Sequence, residues 1–245
     1  MSQPFISLID VSKHYSEDSF AGVSSVSLTI NKGDFVAIVG ESGSGKSTLL
    51  KHFAGIYKPL EGEIMIEGTS ISLLSANEMA RKICWIGTGK IDFPYLKVWE
   101  FVALGRHPYL GITGFLHPED KVIIDNSLSQ MNILQLKNKF LNQCSDGERQ
   151  SAMLARALAQ DTAIVLLDEI TAHLDYVHRH KSFELLKKLA KENNKTIILA
   201  THEIDLSLKY CDELLVLHQH KIQKIEATDY EDKALLNKVF EGFIS

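Results

Sequence analysis

The chain has little cysteine. Cys84, Cys144 and Cys211 are its only three in 245 residues. An odd, scattered set excludes a disulfide framework, lacks metal-ligand spacing and points to a reducing compartment. It also lacks long apolar runs. Ala163-Ile164-Val165-Leu166-Leu167, among the longest, falls far short of the ~20 residues that span a bilayer. Any membrane role is therefore expected to be peripheral. The opening Met1-Ser2-Gln3-Pro4 has neither the basic nor the apolar region of a signal peptide. There is no excess of positive charge: the net charge is −5, so no global basic field recruits nucleic acid. Low-complexity tracts and internal repeats are absent as well. What remains, 45% apolar and 23% charged residues, is the composition of an ordinary globular protein with a sizeable core.

Within it stands Gly40-Glu41-Ser42-Gly43-Ser44-Gly45-Lys46-Ser47-Thr48. The apolar run Asp34 to Val39 precedes it, and Thr48 to Ala54 reads as the first turns of a helix. A strand, a glycine loop and a helix make the setting in which G-x-x-x-x-G-K-[ST] means a phosphate cradle. Glycines let successive N–H groups turn inward around a polyphosphate, and the helix dipole points at the same place. A plain flexible loop would need neither the lysine nor the strand. Lys46 is expected to reach the β- and γ-phosphates and Ser47 to hold Mg²⁺. With no internal repeat, one such site is expected per chain.

Upstream, Phe5 to Val11 and Val23 to Ile30 read as antiparallel strands, and Glu63 to Ile66 as a further short strand. Ile83 to Ile86 is a buried-strand run. Val98 to Leu104, Pro118 to Met131 and Glu148 to Ala159 have helical apolar spacing with no strand between them, which predicts an all-helical insertion. Between these helices lies Gly105 to Leu116, rich in loop formers yet apolar and aromatic. It is either a buried loop or an exposed docking surface. Ile164 to Leu167 and Thr196 to Ala200 read as buried strands. Val177 to Glu192 and Glu203 to Tyr210 read as helices, Glu213 to His218 with Lys221 to Ile225 as a strand pair, and Tyr230 to Glu241 as a closing helix. Strands separated by helices predict a parallel α/β core with ligands at the strands' carboxyl ends.

Three further clusters sit where such ligands belong. Asp168 and Glu169 follow an apolar strand. Asp168 is placed to hold Mg²⁺ through a water, and Glu169 to orient or deprotonate the water that attacks a γ-phosphate. His202 ends the strand Thr196 to Ala200 and can hydrogen-bond the γ-phosphate and that water. Ser145-Asp146-Gly147-Glu148 opens a helix as a capping box. Capping alone accounts for these residues; the sharper reading offers Ser145 and the Gly147 N–H to a phosphate. His173, His178 and His180 cluster in sequence, but His178 and His180 do not share a helix face and read as solvated.

The order Gly40–Thr48, Ser145–Gln150, Ile164–Glu169, Leu174-Asp175, His202 resembles the ATP-binding cassette (ABC) ATPases over about Phe5 to Ile225. The resemblance implies an α/β P-loop NTPase (RecA-like) core with an N-terminal antiparallel β subdomain and an inserted α-helical subdomain. The cassette would occupy residues 4–228, its helical subdomain about 90–160, and a helical tail 229–245. Two ATP molecules would be sandwiched in a head-to-tail dimer between one subunit's P-loop and the other's signature, Ser145, Gly147 and Glu148. Tyr15 would stack on adenine, and Asp175 would contact across the dimer. The helical subdomain would grip transmembrane permease subunits at the cytoplasmic face, with an extracytoplasmic substrate-binding protein acting indirectly. Val102 to Tyr109 and Leu158 to Asp161 further resemble ATPase subunits of importers for iron–siderophore chelates, haem or cobalamin.

The sequence departs from that family in places. Its usual Leu-Ser-Gly-Gly-Gln signature is here Cys144-Ser145-Asp146-Gly147-Glu148, which brings two carboxylates toward the partner's γ-phosphate. Like charges ~6 Å apart at an effective dielectric near 20 cost roughly 3 kcal/mol, so a weakened sandwich is expected unless Asp146 turns away or pairs with a cation. Thr88 stands where glutamine is usual and becomes the expected third Mg²⁺ ligand, through water; alternatively Lys90 takes over the glutamine's place in coupling to the helical subdomain. Ile170 replaces proline, with little consequence expected. Three rival readings remain. One is an ABC-type ATPase that regulates or scaffolds an assembly, such as iron–sulfur cluster building, without transport. Another is a nucleotide-sensing module without turnover. The third, a GTPase, is discounted because Asn194-Lys195-Thr196 is followed by Ile197, not the Asp of the guanine-reading motif.

Overall fold

The computed structural model describes residues 4–14, 22–58, 61–87, 93, 95–111, 114–171, 174–218 and 221–226. Tyr15, Thr88, Lys90, His173 and segment 229–245 lie outside the described residues. Two sheets carry the chain. Strands β1 (Ile6–His14), β2 (Gly22–Ile30), β4 (Glu61–Ile66) and β5 (Thr69–Ser70) form an antiparallel sheet in the order β2-β1-β4-β5. The larger sheet has the order β10-β9-β3-β8-β7-β6, from β3 (Phe35–Gly40), β6 (Ile83–Ile86), β7 (Ile164–Asp168), β8 (Thr196–Thr201), β9 (Glu213–His218) and β10 (Lys221–Glu226). Its pairings are parallel except β9–β10.

The central strands β3, β8 and β7 are buried on both faces because both faces are covered, whereas the edge strand β10 is largely exposed. Phe35, Ala37 and Val39 pack into one core, while Val36 and Ile38 pack into the other. β7 and β8 alternate in the same way. One core is closed by the antiparallel sheet and helix α1 (Lys46–Phe53), through Leu49, Leu50 and Phe53. The other is closed by α3 (Val98–Ala103), α4 (Pro118–Gln130), α5 (Asp146–Gln160) and α6 (Tyr176–Glu192). Helix α7 (Ile204–Tyr210) joins that side through Leu206.

Two local readings change. Helix α2 (Ala76–Lys82) has too few apolar residues to show a period, yet it carries a full Ser75/Glu78 capping box. Residues Leu104–Tyr109 are a 3₁₀ helix, not a loop. Gly105 and Arg106 are buried there, whereas Phe115 is 76% exposed, so the segment is half core and half surface. Arg106 is its anchor. Nε donates to Asp120 Oδ1 at 2.8 Å, Nη1 donates to Ala159 O at 2.8 Å, and the guanidinium lies 4.0 Å from the Tyr109 ring centroid. Among the described residues, no helix is long and apolar enough to cross a membrane.

Candidate active site

Strand β3 ends at Gly40, and α1 begins six residues later. The turn between them is possible only for certain residues. A Cβ on Gly40 would sit 2.5 Å from Leu217 O and 2.7 Å from Ser44 Oγ, and Gly45, the residue before α1, has φ +105°, a conformation that side chains resist. No side chain caps α1, so its first N–H groups face the loop. Ser44 Oγ is buried, with no hydrogen-bond partner among the described residues. A buried hydroxyl and uncapped amides inside one turn form a cradle with donors to spare, and this fits an anionic phosphate.

Lys46 lies across the cradle, 4% exposed, with Nζ donating to Gly40 O at 2.9 Å and Glu41 O at 2.8 Å. Burial pushes its pKa down, with Glu169 and Asp168 opposing. The next residue, Ser47, donates from Oγ to Asp168 Oδ1 at 2.9 Å. Asp168 ends β7, and burial raises its carboxyl above the usual range despite that bond. A hydroxyl and a carboxylate meeting at this point are oxygen donors of the kind that a hard divalent cation takes.

Glu169 has φ +50°. In a continuing strand Asp168 and Glu169 would face opposite sides of the sheet. The left-handed turn brings both carboxylates to the same cleft, and the Glu169 N–H is held by Ala200 O at 3.0 Å. The Glu169 carboxylate lies 2.7 Å from His202 Nε2 and 3.9 Å from Lys46 Nζ. Lys46, Ser47, Asp168, Glu169 and His202 thus converge at the carboxyl ends of the adjacent strands β3, β8 and β7. Glu41, Ser42, Gly43 and Thr48 complete the loop and the first turn.

The signature residues form a second cluster. Ser145 caps α5: its Oγ accepts the Glu148 N–H at 3.2 Å, while Glu148 Oε2 accepts the Ser145 N–H at 2.7 Å. Asp175 caps α6, accepting the His178 N–H at 2.9 Å and lying 2.8 Å from His178 Nδ1. The His178 ring packs on Gly147, 3.6 Å from where a Cβ would be, so Asp175 and the signature are joined through it. Among the described residues, no hydrogen bond or ion pair connects this cluster to the P-loop. His178 is exposed, as expected, and also pairs with Asp175, whereas His180 is half-buried and packs between Tyr176 and Tyr210.

Asp146 and Glu148 are also paired. Asp146 Oδ1 lies 2.5 Å from Arg149 Nη2, and Glu148 Oε2 lies 2.7 Å from Lys139 Nζ. Arg149 is visible in the sequence one helical turn from Asp146. Lys139, nine residues from Glu148 and outside the helix, carries no period that would reveal it. Tyr15 and Thr88 cannot be placed against either cluster, since both lie outside the described residues.

Residues 23–172 match the family described as ABC transporter. The petrobactin import ATP-binding protein FpuC of Bacillus anthracis is 36% identical over 217 residues, covering 88% of this chain and 80% of that protein. The cobalamin import ATP-binding protein BtuD of Halobacterium salinarum is 34% identical over 198 residues, 80% of this chain and 49% of that longer one. The solved dimeric structure of MJ0796, a bacterial ABC transporter cassette, superposes with a TM-score of 0.77 at 30% identity, covering 91% of this chain and 98% of that one. In motif order, in fold and in these matches, the chain belongs to the ABC transporter family.

Proposed function

We propose that the chain is the ATP-hydrolysing subunit of an importer whose cargo is an iron–siderophore chelate or a cobalamin. The observation that carries the catalytic part is the convergence of Glu169, His202 and Lys46 above the Ser47–Asp168 pair. Lys46 binds the β- and γ-phosphates. Glu169, held 2.7 Å from His202, orients the attacking water and takes its proton, and His202 holds the γ-phosphate and the water in line. Ser47 and Asp168 would hold Mg²⁺, which supplies charge neutralisation at the phosphate oxygens when bound. Thr88 as a third ligand and Tyr15 as the adenine platform rest on the resemblance alone.

The likeness to a cassette solved as a dimer supports a head-to-tail dimer, in which each chain lends its signature and Asp175 to the other's ATP. Closing on ATP and opening after hydrolysis moves the helical subdomain. Exposed Tyr95, Leu104 and Phe115 supply apolar surface there for transmembrane permease subunits. The chain then sits peripherally at the cytoplasmic face, with a substrate-binding protein on the other side. Uptake of a labelled ferric siderophore and of cobalamin by cells carrying the native chain or Glu169→Gln tests this. Import of one cargo, lost in the variant, is expected. Unchanged uptake of both in the variant would contradict it.

A further inference from the structure

The N-terminus of α5 carries more negative charge than a phosphate-facing helix should tolerate, and the structure shows how that charge is managed. Asp146 is exposed, its side chain 75% accessible, and its partner Arg149 sits on the same helix. Glu148 differs. Its side chain is only 30% accessible, and its partner Lys139 comes from outside the helix. Lys139 is itself fixed by its backbone: its N–H donates to Leu136 O at 2.8 Å, and its carbonyl accepts the Val98 N–H at 2.9 Å. Its ammonium therefore reaches Glu148 from a frame built by α3 and the 3₁₀ turn Leu134–Leu136.

We propose that Lys139 is a positioning residue for the ATP sandwich, holding the Glu148 carboxylate back against the Ser145 N–H and cancelling its charge so that the partner's phosphate can approach. The inference rests on the reading that Ser145 and Gly147 face the ATP of a second copy. Its chemistry is local. Ser145 Oγ already accepts the Glu148 N–H, so the hydroxyl proton is the part left to donate to a phosphate oxygen. Glu148 Oε2 is drawn the other way by two donors at 2.7 Å, Lys139 Nζ and Ser145 N. The lysine hydrogen bond, followed by the backbone one, holds the Glu148 carboxyl below its usual range, so its charge is present at neutral pH and has to be matched. Without Lys139 only the Ser145 N–H would hold that carboxylate, and its charge would meet the incoming phosphate unmatched.

Dimerisation of the Glu169→Gln protein in Mg-ATP, followed by light scattering across protein concentration, is the test. Lys139→Met should weaken the ATP-driven dimer by on the order of tenfold, the part of a like-charge repulsion that solvent and salt leave. The loss should shrink as salt rises. Adding Glu148→Gln to Lys139→Met should restore the dimer, since the charge to be matched is gone, and Lys139→Arg should keep it. Binding of a fluorescent ATP analogue to the monomer should be the same in all variants. If Lys139→Met unfolds the subdomain, Lys139→Gln keeps a donor and removes only the charge. An undiminished dimer in Lys139→Met, or a loss that Glu148→Gln does not relieve, would overturn the inference while leaving the sandwich in place. Failure of Glu169→Gln to dimerise while still binding ATP would overturn both.

Discussion

Replacing Arg106 by methionine should unpick the helical subdomain without touching the nucleotide cleft. Arg106 and Asp120 are each 7% exposed and joined at 2.8 Å. Methionine fills the arginine's stem but leaves the buried Asp120 charge without its ion-pair partner, met by the His117 N–H alone, and breaking a buried pair in this way costs about 3–5 kcal/mol. The Ala159 carbonyl also loses its donor at 2.8 Å. Against a total stability of about 5–15 kcal/mol, this is a large fraction. For a chain of this size the melting temperature should fall by roughly 6–20 °C. Arg106→Met/Asp120→Asn should recover part of the loss, because asparagine carries no charge and can still accept the His117 N–H that Asp120 Oδ2 accepts at 2.9 Å. The pH dependence has a definite sign. Burial acts to raise the Asp120 carboxyl, but Arg106 and the His117 N–H outweigh it, and the net shift is downward. A depressed folded-state pKa gives stability that is present above the unfolded value, about 3.9, and lost as pH falls through the folded one. In Arg106→Met only the His117 side of that opposition to burial remains. The gap between native protein and variant should therefore narrow below about pH 4. Urea unfolding followed by far-ultraviolet circular dichroism reads all of this. A loss under about 1 kcal/mol, or a double variant no better than the single, would refute the reasoning.

Two shorter predictions concern the cleft. Asp168→Asn should stabilise the nucleotide-free protein at pH 7 while abolishing Mg²⁺-dependent hydrolysis. Burial raises the Asp168 carboxyl in the folded state, so its contribution is complete below the unfolded pKa and is lost as pH rises through the folded one. Thermal melts across pH check this, and a less stable variant at pH 7 would contradict it. Gly40→Ala places a methyl 2.5 Å from Leu217 O. It should cost about 1–3 kcal/mol and weaken nucleotide binding measured by calorimetry.

The core strands and the P-loop were readable because their physics is local. A strand buried on both faces must be a continuous apolar run, as Phe35 to Val39 and Ile197 to Ala200 are, and a phosphate loop must place its glycines and lysine at fixed spacing. Asp168, Glu169 and His202 could be located because each closes such a strand. What stayed hidden depended on geometry that no spacing encodes. The left-handed Glu169 that brings neighbouring carboxylates to one cleft is one such feature. The buried half of Leu104–Tyr109, set by Arg106 and its distant partner Asp120, is another. The repulsion expected from Asp146 and Glu148 allowed for a cation at Asp146, which is Arg149, but not for one at Glu148. Arg149 lies close enough in sequence to be suspected, but Lys139 reaches Glu148 only through the folded subdomain.

The central claim is that two copies close around ATP with Glu169 as the group that ends the closed state. Light scattering of Glu169→Gln with and without Mg-ATP tests it most directly. The account predicts a monomer without nucleotide and a stable dimer with it, since ATP is bound but not hydrolysed. A monomer at saturating Mg-ATP, with nucleotide bound, would contradict it.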